Sequence, residues 1–230
     1  MKIKFVGTGG AFESTLTNSS AIVTQKGTNF LIDCGHSVFP KLNVLDLLGT
    51  IDGVLITHLH DDHVGSLSSL ILYHQIILEK GRLKVYSGSE AAREDLRKFL
   101  SFSLGKVEER ADLRLASEIE GLSVIDTFGK HVEWMQTYGY CLSDGESSIA
   151  YSGDNGDAKY FFSEVEKLNL PNLRVFHEMC YYEGLRAHPH FSDLLPFLKD
   201  FEVYGYHCNH LEAPSENEIP LVGDFPALNF

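Results

Sequence analysis

The chain has 230 residues, of which 43% are hydrophobic and 22% charged, a composition that excludes disordered and fibrous proteins. Its formal net charge of −13 argues against stable, nonspecific binding to nucleic acid, because a negative field repels phosphate backbones at long range. A small anionic substrate is compatible with this charge, since bound metal cations can reverse the local potential.

The first half of the chain alternates short strand-like runs with amphipathic segments. Apolar and β-branched runs bounded by turn-forming residues predict strands at residues 2–6, 21–24, 29–33, 52–57 and 83–86. Apolar residues at helical spacing predict helices at residues 40–48, 64–78 and 90–100. The last of these helices follows Ser89, a residue type that caps helix N-termini well.

The second half repeats this alternation. It predicts strands at residues 122–126, 137–142, 148–152, 173–177 and 202–206, and helices at 158–168 and 193–199, the latter capped by Ser192. This order predicts a layered α/β protein, with residues 1–230 forming one domain. The tail, residues 212–230, has no clear period. Its apolar side chains would pack either on their own domain or across a homodimer interface.

The strongest chemical signal is the segment His58-Leu59-His60-Asp61-Asp62-His63, which directly follows the apolar run Val54-Leu55-Ile56. Loops at strand ends present side chains to clefts. Imidazoles and carboxylates in one loop suit borderline divalent ions such as Zn²⁺, Mn²⁺, Fe²⁺ or Co²⁺. The alternative is a polar loop that is rich in histidine by chance. We interpret the segment as part of a metal site.

The pattern His58-x-His60-x-Asp62-His63 resembles the HxHxDH signature of the metallo-β-lactamase superfamily. Within it, the chain is most similar to the ribonuclease Z-like branch and its small phosphodiesterase relatives. Further segments resemble motifs of this branch in the same order: Gly7-Thr8-Gly9, Asp33-Cys34-Gly35, Tyr151-Ser152-Gly153-Asp154, His177-Glu178 and Tyr206-His207. The resemblance implies a four-layer αββα sandwich, in which two mixed β-sheets are covered by helices on the outside.

The resemblance also implies two divalent metal ions. Zinc is the first candidate for both, and Mn²⁺ or Fe²⁺ are alternatives. Its ligands would form two sets joined by a bridging carboxylate: His58, His60 and His131; Asp62, His63 and His207; and Asp154 between them. Two such cations can share and activate a water molecule, which Asp62 would also orient. Asp33 could hydrogen-bond a ligand imidazole. His210 competes with His207, which we prefer because it falls at a strand end.

A general acid is expected in the segment Ala187-His188-Pro189-His190-Phe191-Ser192, which resembles the element that opens the branch's final helix. His190 keeps the expected distance from the predicted N-cap Ser192, so it is the first candidate, with His188 as its rival. Glu178 would orient that imidazole and raise its pKa. The alternative is a proline-containing loop with two exposed histidines.

Fold alone does not fix the reaction in this superfamily. Only 22 residues separate His131 from Asp154, too few for the protruding arm with which tRNA-processing relatives grip tRNA. The chain is therefore more similar to small cyclic-nucleotide phosphodiesterases, including phage anti-Pycsar enzymes, and we expect hydrolysis of a small or cyclic nucleotide. Alternatives are a ribonuclease Z-like RNA 3′-end nuclease, another hydrolase of this fold, and a noncatalytic structural metal site.

The sequence also predicts a cytoplasmic protein. The first ten residues lack an apolar run of the length that export requires, and no apolar run approaches the roughly 20 residues of a membrane span. Four scattered cysteines without a CxxC pair favour reduced thiols, because a chain of this size can build a core without disulfides.

Overall fold

The computed structural model describes residues 1–13 and 15–222. In these ranges the chain forms eleven strands and five α-helices, joined by short 3₁₀ turns and one π-helical turn. Their bounds are β1 Lys2–Gly7, β2 Ser20–Gln25, β3 Thr28–Ile32, α1 Val38–Val44, β4 Gly53–Ile56, α2 Asp61–Val64, α3 Leu67–Leu72, β5 Leu83–Ser87, α4 Glu90–Leu104, β6 Ala111–Leu115, β7 Leu122–Asp126, β8 Tyr138–Ser143, β9 Ser148–Tyr151, α5 Ala158–Lys167, β10 Leu173–Glu178 and β11 Glu202–Tyr206.

The strands form two mixed sheets. The first has the order β1-β2-β3-β4-β5-β6; β1 to β3 pair antiparallel, and β3 to β6 run parallel. The second has the order β11-β10-β9-β8-β7; β9 to β11 run parallel, and β7 to β9 pair antiparallel. Parallel strands are joined by crossovers that pass over a face of the sheet, which places helices outside both sheets.

Side-chain alternation in the strands builds three apolar layers. In β4, Val54 and Ile56 pack on the outer side with residues of α1, α3 and α4, whereas Leu55 faces the second sheet. Between the sheets, Leu55 joins a cluster that includes Tyr140 and Tyr151 from the second sheet. Outside the second sheet, α5 packs Phe161 and other apolar residues against strands β9 to β11. The predicted four-layer αββα arrangement is confirmed.

In the first half of the chain, one predicted element differs from the structure and one observed strand was not predicted. The single helix predicted at residues 64–78 is wrong: α2, α3 and the π-helical turn Tyr73–Ile77 replace it. The chain breaks at Ser66, whose hydroxyl donates to the Gly35 carbonyl instead of facing solvent. Strand β6 was not predicted, because Asp112 and Arg114 interrupt its apolar pattern; they form an ion pair at the edge of the sheet.

The helix predicted at residues 193–199 is also wrong. Two 3₁₀ turns, Phe191–Asp193 and Leu195–Phe197, occupy this stretch. Pro196 has no N–H to donate, which disfavours a regular helix here. The first turn begins after His190, so the N-terminal cap lies two residues before the predicted cap Ser192.

Part of the tail packs on the second sheet. Leu221 and Val222 are buried, and the Gly205 N–H of β11 donates to the Pro220 carbonyl (2.8 Å). Residues 223–230 lie outside the described residues. The single domain over residues 1–230 and the homodimer stay predictions. Among the helices that the structure describes, none has both the length and the apolar character that a membrane crossing needs.

Candidate metal centre

The candidate site lies at the carboxyl ends of parallel strands from both sheets. These strand ends carry Asp33 after β3, Thr57 after β4, Asp154 after β9, Glu178 at the end of β10 and His207 after β11. Parallel strands end at the same edge of a sheet, which is where ligand sites form in α/β proteins. The topology therefore brings residues far apart in sequence into one cleft.

The first group of donor atoms consists of three histidines. His60 Nδ1 lies 3.0 Å from His58 Nε2 and 3.1 Å from His131 Nε2. His58 and His60 flank Leu59 at the start of the loop after β4, and His131 comes from the connection between β7 and β8. One ligand atom of each lies within 4.8 Å of the others, a spacing that fits a shared metal ion.

The second group combines two histidines with two carboxylates. His63 Nε2 lies 3.3 Å from Asp62 Oδ2 and 3.3 Å from Asp154 Oδ1. His207 Nε2 lies 3.5 Å from Asp154 Oδ2 and 3.8 Å from Asp62 Oδ2. All four side chains are buried, and their ligand atoms also fall within 4.8 Å of one another.

Asp154 lies between the two groups. Besides its contacts in the second group, its Oδ2 is 3.9 Å from both His58 Nε2 and His131 Nε2 in the first. The preceding Gly153 has a φ of +60°, and a Cβ there would come within 2.6 Å of the Tyr138 carbonyl oxygen. Glycine at this turn therefore lets the backbone approach β8 and present the Asp154 carboxylate to both groups.

Hydrogen bonds outside the cleft fix the tautomers of four histidines. His131 Nδ1 lies 2.9 Å from the Ala187 carbonyl, which only accepts, so this nitrogen is the donor. His63 Nδ1 likewise faces Asp33 Oδ2 at 2.7 Å. His58 Nδ1 faces the Thr57 hydroxyl and His207 Nδ1 the Ser19 hydroxyl, and both hydroxyls donate elsewhere. The Nε2 lone pairs of all four rings therefore point into the cleft.

These donors fit divalent cations. Inward lone pairs and two carboxylates converge without intervening hydrogen-bond donors, and the buried His63 Nε2 and Asp154 Oδ1 have no hydrogen-bond partner among the described residues. Burial lowers the pKa of His63, but the carboxylates of Asp154 and Asp33 outweigh this and raise it well above its usual value. The site thus favours positive charge at this position, and neutral imidazole with carboxylate is a donor set typical of zinc and related ions.

A group of buried contacts holds the loop after β4, and we call Asp33, Cys34, Gly35 and Ser66 the clamp. Asp33 accepts hydrogen bonds from the Thr57 N–H (2.8 Å) and hydroxyl (2.7 Å) in addition to facing His63. The Cys34 N–H donates to the His63 carbonyl (2.7 Å). At Gly35, a Cβ would lie 1.8 Å from the Asp62 carbonyl oxygen, so only glycine allows this approach.

The structure places His188, and not His190, against Glu178. His188 Nδ1 lies 2.8 Å from Glu178 Oε2, while Glu178 Oε1 accepts from the Asn155 N–H (2.7 Å). The His188 ring lies 5.0 Å from the His131 ring, measured between centroids. His190 instead packs on Phe191 and lies 2.8 Å from the Ser192 hydroxyl. This differs from our expectation because the 3₁₀ turn starts two residues early, which puts His188 at the distance from the cap where we expected His190.

Electrostatics place a proton on His188. Burial and the nearby Asp154 carboxylate raise the pKa of Glu178 to about 7. Burial lowers the pKa of His188, but its hydrogen bond to Glu178 outweighs this and raises it to about 9. With the higher pKa on the imidazole, the pair keeps His188 protonated at neutral pH.

His210 joins none of the donor groups found among the described residues. It begins the 3₁₀ turn His210–Glu212, and its buried Nδ1 has no hydrogen-bond partner in the part of the chain that is described. Sequence reasoning gave no role to Thr57 or Ser19, which orient two imidazoles. Thr57 could have been found from its position directly before the histidine loop, whereas nothing in the sequence distinguishes Ser19.

Comparisons with known proteins agree with this geometry. The family described as "Anti-Pycsar protein Apyc1" matches residues 1–218. An anti-Pycsar protein Apyc1 from Bacillus phage BSP38 is 32% identical over 228 residues, covering 86% of this chain and 84% of that protein. The corresponding protein from Bacillus phage 010DV004 is 30% identical over 234 residues, covering 87% and 84%.

Solved structures support the fold alone, because their sequences are distant. The metallo-β-lactamase fold protein YhfI from Bacillus subtilis superposes with a TM-score of 0.75 at 17% identity, covering 100% of this chain and 97% of its own. A diphosphatase from the PhnP family gives 0.69 at 17% identity, with coverage of 96% and 94%. The short form of human tRNase Z gives 0.65 at 19% identity, with coverage of 92% and 94%. The family match over residues 1–218 and the two phage relatives at 32% and 30% identity show that the chain belongs to the anti-Pycsar protein Apyc1 family.

Proposed function

We propose that this protein is a divalent-metal-dependent phosphodiesterase that hydrolyses small or cyclic nucleotides. The observation that carries the proposal is the convergence of seven donor side chains in two groups, with Asp154 lying between them. Two adjacent cations would be suited to in-line displacement at phosphorus, because they can stabilise both the attacking and the leaving oxygen. Membership of a family of anti-Pycsar proteins supports the same substrate class, because the sequence resembles small cyclic-nucleotide phosphodiesterases that include phage anti-Pycsar enzymes.

We assign two zinc ions to the centre. The histidines of the first group would hold one ion, Asp62, His63 and His207 the other, and Asp154 would contact both. When bound, such ions supply Lewis-acid polarisation of a phosphoryl oxygen and a potent nucleophile at neutral pH. Asp33, Thr57 and Ser19 keep the ligand imidazoles in the required tautomers, and this positioning maintains affinity for the metal.

His188 is the general acid in this proposal. Its Nδ1–H donates to Glu178, which leaves the protonated Nε2 to donate to the departing oxygen of the substrate. Glu178 is a positioning residue, because it is fully buried and acts through the imidazole. Asp62 would help to hold one of the ions, and its carboxylate would orient the attacking water.

The charge and the short connections favour a small substrate. The stretch between His131 and Asp154 contains β8, β9 and the turn between them, so no protruding arm fits there. A protein of net charge −13 also lacks the basic surplus that a tRNA backbone attracts.

Metal analysis combined with a substrate panel tests this proposal. We expect about two equivalents of zinc per chain and turnover of 3′,5′-cyclic nucleotides and bis(p-nitrophenyl) phosphate. Asp154→Asn should lose both metal and turnover, whereas the exposed control Asp200→Asn should retain them. Failure of the metal-loaded protein to hydrolyse either substrate would remove the proposal. Tight tRNA binding with a steep salt dependence would favour an RNA-processing nuclease instead.

A further inference from the structure

A cavity of about 220 Å³ lies beside the metal centre, between the end of β4, the end of β5 and the start of α4. Its lining includes Thr57, His58, Ser87, Asp95, Trp134 and Gln136. Typical small-molecule sites span roughly 300–1,000 Å³. This smaller volume fits one heterocycle and not a whole nucleotide, so its occupant would be one part of a larger ligand.

Trp134 connects the cavity to the metal centre. Its side chain lines the cavity, is 73% exposed, and lies with its ring centroid 5.8 Å from that of His60. Leaving the indole exposed forgoes the stabilisation that its burial would give. It also leaves a flat surface, next to a proposed metal ligand, on which another ring can stack. Aromatic side chains bind nucleobases through such faces, because every base has a π-face.

Two polar groups face the same cavity. Ser87 lines it and is only 2% exposed, and its buried hydroxyl has no hydrogen-bond partner within the described ranges. Burying such a hydroxyl unpaired is unfavourable, so the position favours a ligand that can pair with it. The Tyr138 hydroxyl, 2.9 Å from Gln136 Oε1, holds the Gln136 carboxamide at the wall. Hydroxyl and carboxamide groups both donate and accept, as the edge of a base requires.

The charge on the cavity lining favours a base in the cavity over a phosphate. Asp95 puts a carboxylate on the lining, paired with Lys98 Nζ at 3.2 Å. A carboxylate disfavours a phosphate here but accepts hydrogen bonds from amino groups. The cations favoured at the metal centre attract the phosphate instead.

We propose that this cavity, which we call the Trp134 cavity, binds the heterocyclic base of the nucleotide substrate. Trp134 stacks on the base, and Ser87 and Gln136 hydrogen-bond to its edge while the phosphate lies at the metal centre. The inference rests on the proposed function, which supplies the phosphodiester that the base is attached to. It adds the residues that select the substrate.

Intrinsic fluorescence tests the cavity without catalysis. Trp134 is the single tryptophan of the chain, so its emission reports directly on the cavity. Titrating the metal-loaded protein with adenosine and with cytidine should quench this emission saturably, whereas ribose should not. Absence of saturable quenching by either nucleoside overturns the proposal.

Two variants locate the contact. Ser87→Ala and Gln136→Ala should each weaken nucleoside binding roughly three- to tenfold, as expected for one lost hydrogen bond. Ser101→Ala, on α4 outside the cavity lining, is the matched control and should bind as the wild type does. Thermal melting of each variant verifies folding. Unchanged nucleoside affinity in both cavity variants contradicts the assignment.

Turnover gives an independent measurement. Trp134→Ala should raise the KM for a 3′,5′-cyclic nucleotide about tenfold, the scale of one lost base–aromatic stack. The control Phe102→Ala removes another exposed aromatic ring, on α4 and outside the cavity lining, and should leave KM unchanged. Nucleoside binding without phosphodiester turnover would remove the proposed function but keep the cavity assignment. Turnover without nucleoside binding would remove only the cavity assignment.

Discussion

The loop that carries His58 to His63 and the segment that carries His188 reach the same cleft but are held differently. The loop is fixed by buried contacts of the clamp to its backbone and to the His63 imidazole. The segment around His188 is mostly exposed and is attached through Glu178, through the Ala187 carbonyl that accepts from His131, and through a short bridge between Cys180 and His190. The proposed metal ligands of the loop therefore lie in a rigid frame, whereas the proposed proton donor is held by a few contacts to a mostly exposed segment.

Gly35→Ala should have the largest effect, because it disrupts the clamp directly. The new Cβ would overlap the Asp62 carbonyl oxygen, and backbone must move to relieve the overlap. We expect loss of bound metal, at least a hundredfold loss of turnover, and about 1–3 kcal/mol of lost stability. Metal analysis and urea unfolding measure these. At Gly49 a Cβ meets nothing within 4 Å, so Gly49→Ala is the control. Full metal content in Gly35→Ala would contradict this prediction, because it would mean that the clamp can shift without displacing the metal ligands.

His188→Ala should separate proton donation from metal binding. We expect kcat to fall roughly 10²- to 10⁴-fold with cyclic nucleotides, while metal content stays at the wild-type level. The loss should be smaller with bis(p-nitrophenyl) phosphate, whose leaving group needs little protonation. His190→Ala is the matched control, since His190 contacts Ser192 and Phe191 instead of Glu178. A larger loss of kcat in His190→Ala would reverse the assignment.

Because His177 is buried in β10, we expect the stability of the protein to depend on pH. Burial lowers the pKa of His177 from 6.5 to about 4, and its Nε2 has no hydrogen-bond partner in the described chain. The unfolded chain therefore binds a proton between pH 6.5 and 4 that the folded protein excludes, and stability falls as pH falls through this window. Through His177, the free energy of unfolding should be lower by roughly 3 kcal/mol at pH 4 than at neutral pH.

Urea unfolding at several pH values measures the effect. His177→Gln should show a shallower loss of stability between pH 6.5 and 4 than the wild type. His36→Gln, at an exposed histidine, should keep the wild-type slope. Equal slopes in all three proteins would mean that His177 is protonated without cost in the folded state.

Ser66→Ala should have a smaller effect and sharpens the role of the clamp. The Ser66 hydroxyl donates to the Gly35 carbonyl (2.5 Å) and accepts from the Phe39 N–H (3.1 Å). Its removal leaves buried groups unpaired, and we expect about 1–3 kcal/mol of lost stability by urea unfolding. Ser87→Ala removes a buried hydroxyl without a partner among the described residues, so it should cost nothing. Equal losses in the two variants would contradict this contrast.

Thiol labelling should distinguish the two regions without changing the sequence. Burial raises the pKa of Cys34 in the clamp to about 12, so its reactive thiolate is rare. Cys180, beside the His188 segment, is only partly buried. A disulfide reagent should therefore modify Cys180 much faster than Cys34 in the folded protein, with both reacting after denaturation. Mass spectrometry of digests identifies the sites, and faster labelling of Cys34 would mean that the clamp opens.

The sequence alone predicted most strands, the layered α/β class and the histidine loop, because these depend on local patterns. Alternating apolar residues fix which faces of a strand are buried, and His58, His60, Asp62 and His63 are close in sequence. The order of motifs also indicated the superfamily, which the family match agrees with. Strand β6 was missed because its charged pair hides the alternation, and helix 64–78 was predicted too long because Ser66 turns inward.

Only the tertiary structure decided how distant residues meet. Asp154 and His207 reach the loop because parallel strands of the two sheets end at one edge, and the connection between the antiparallel strands β7 and β8 brings His131 there. Spacing along the sequence does not reveal these distances. A cap that lies two residues earlier than predicted placed His188 against Glu178 instead of His190. The Trp134 cavity likewise forms between segments far apart in the chain. Local propensity sets elements, whereas packing sets the contacts between them, and this site is made of such contacts.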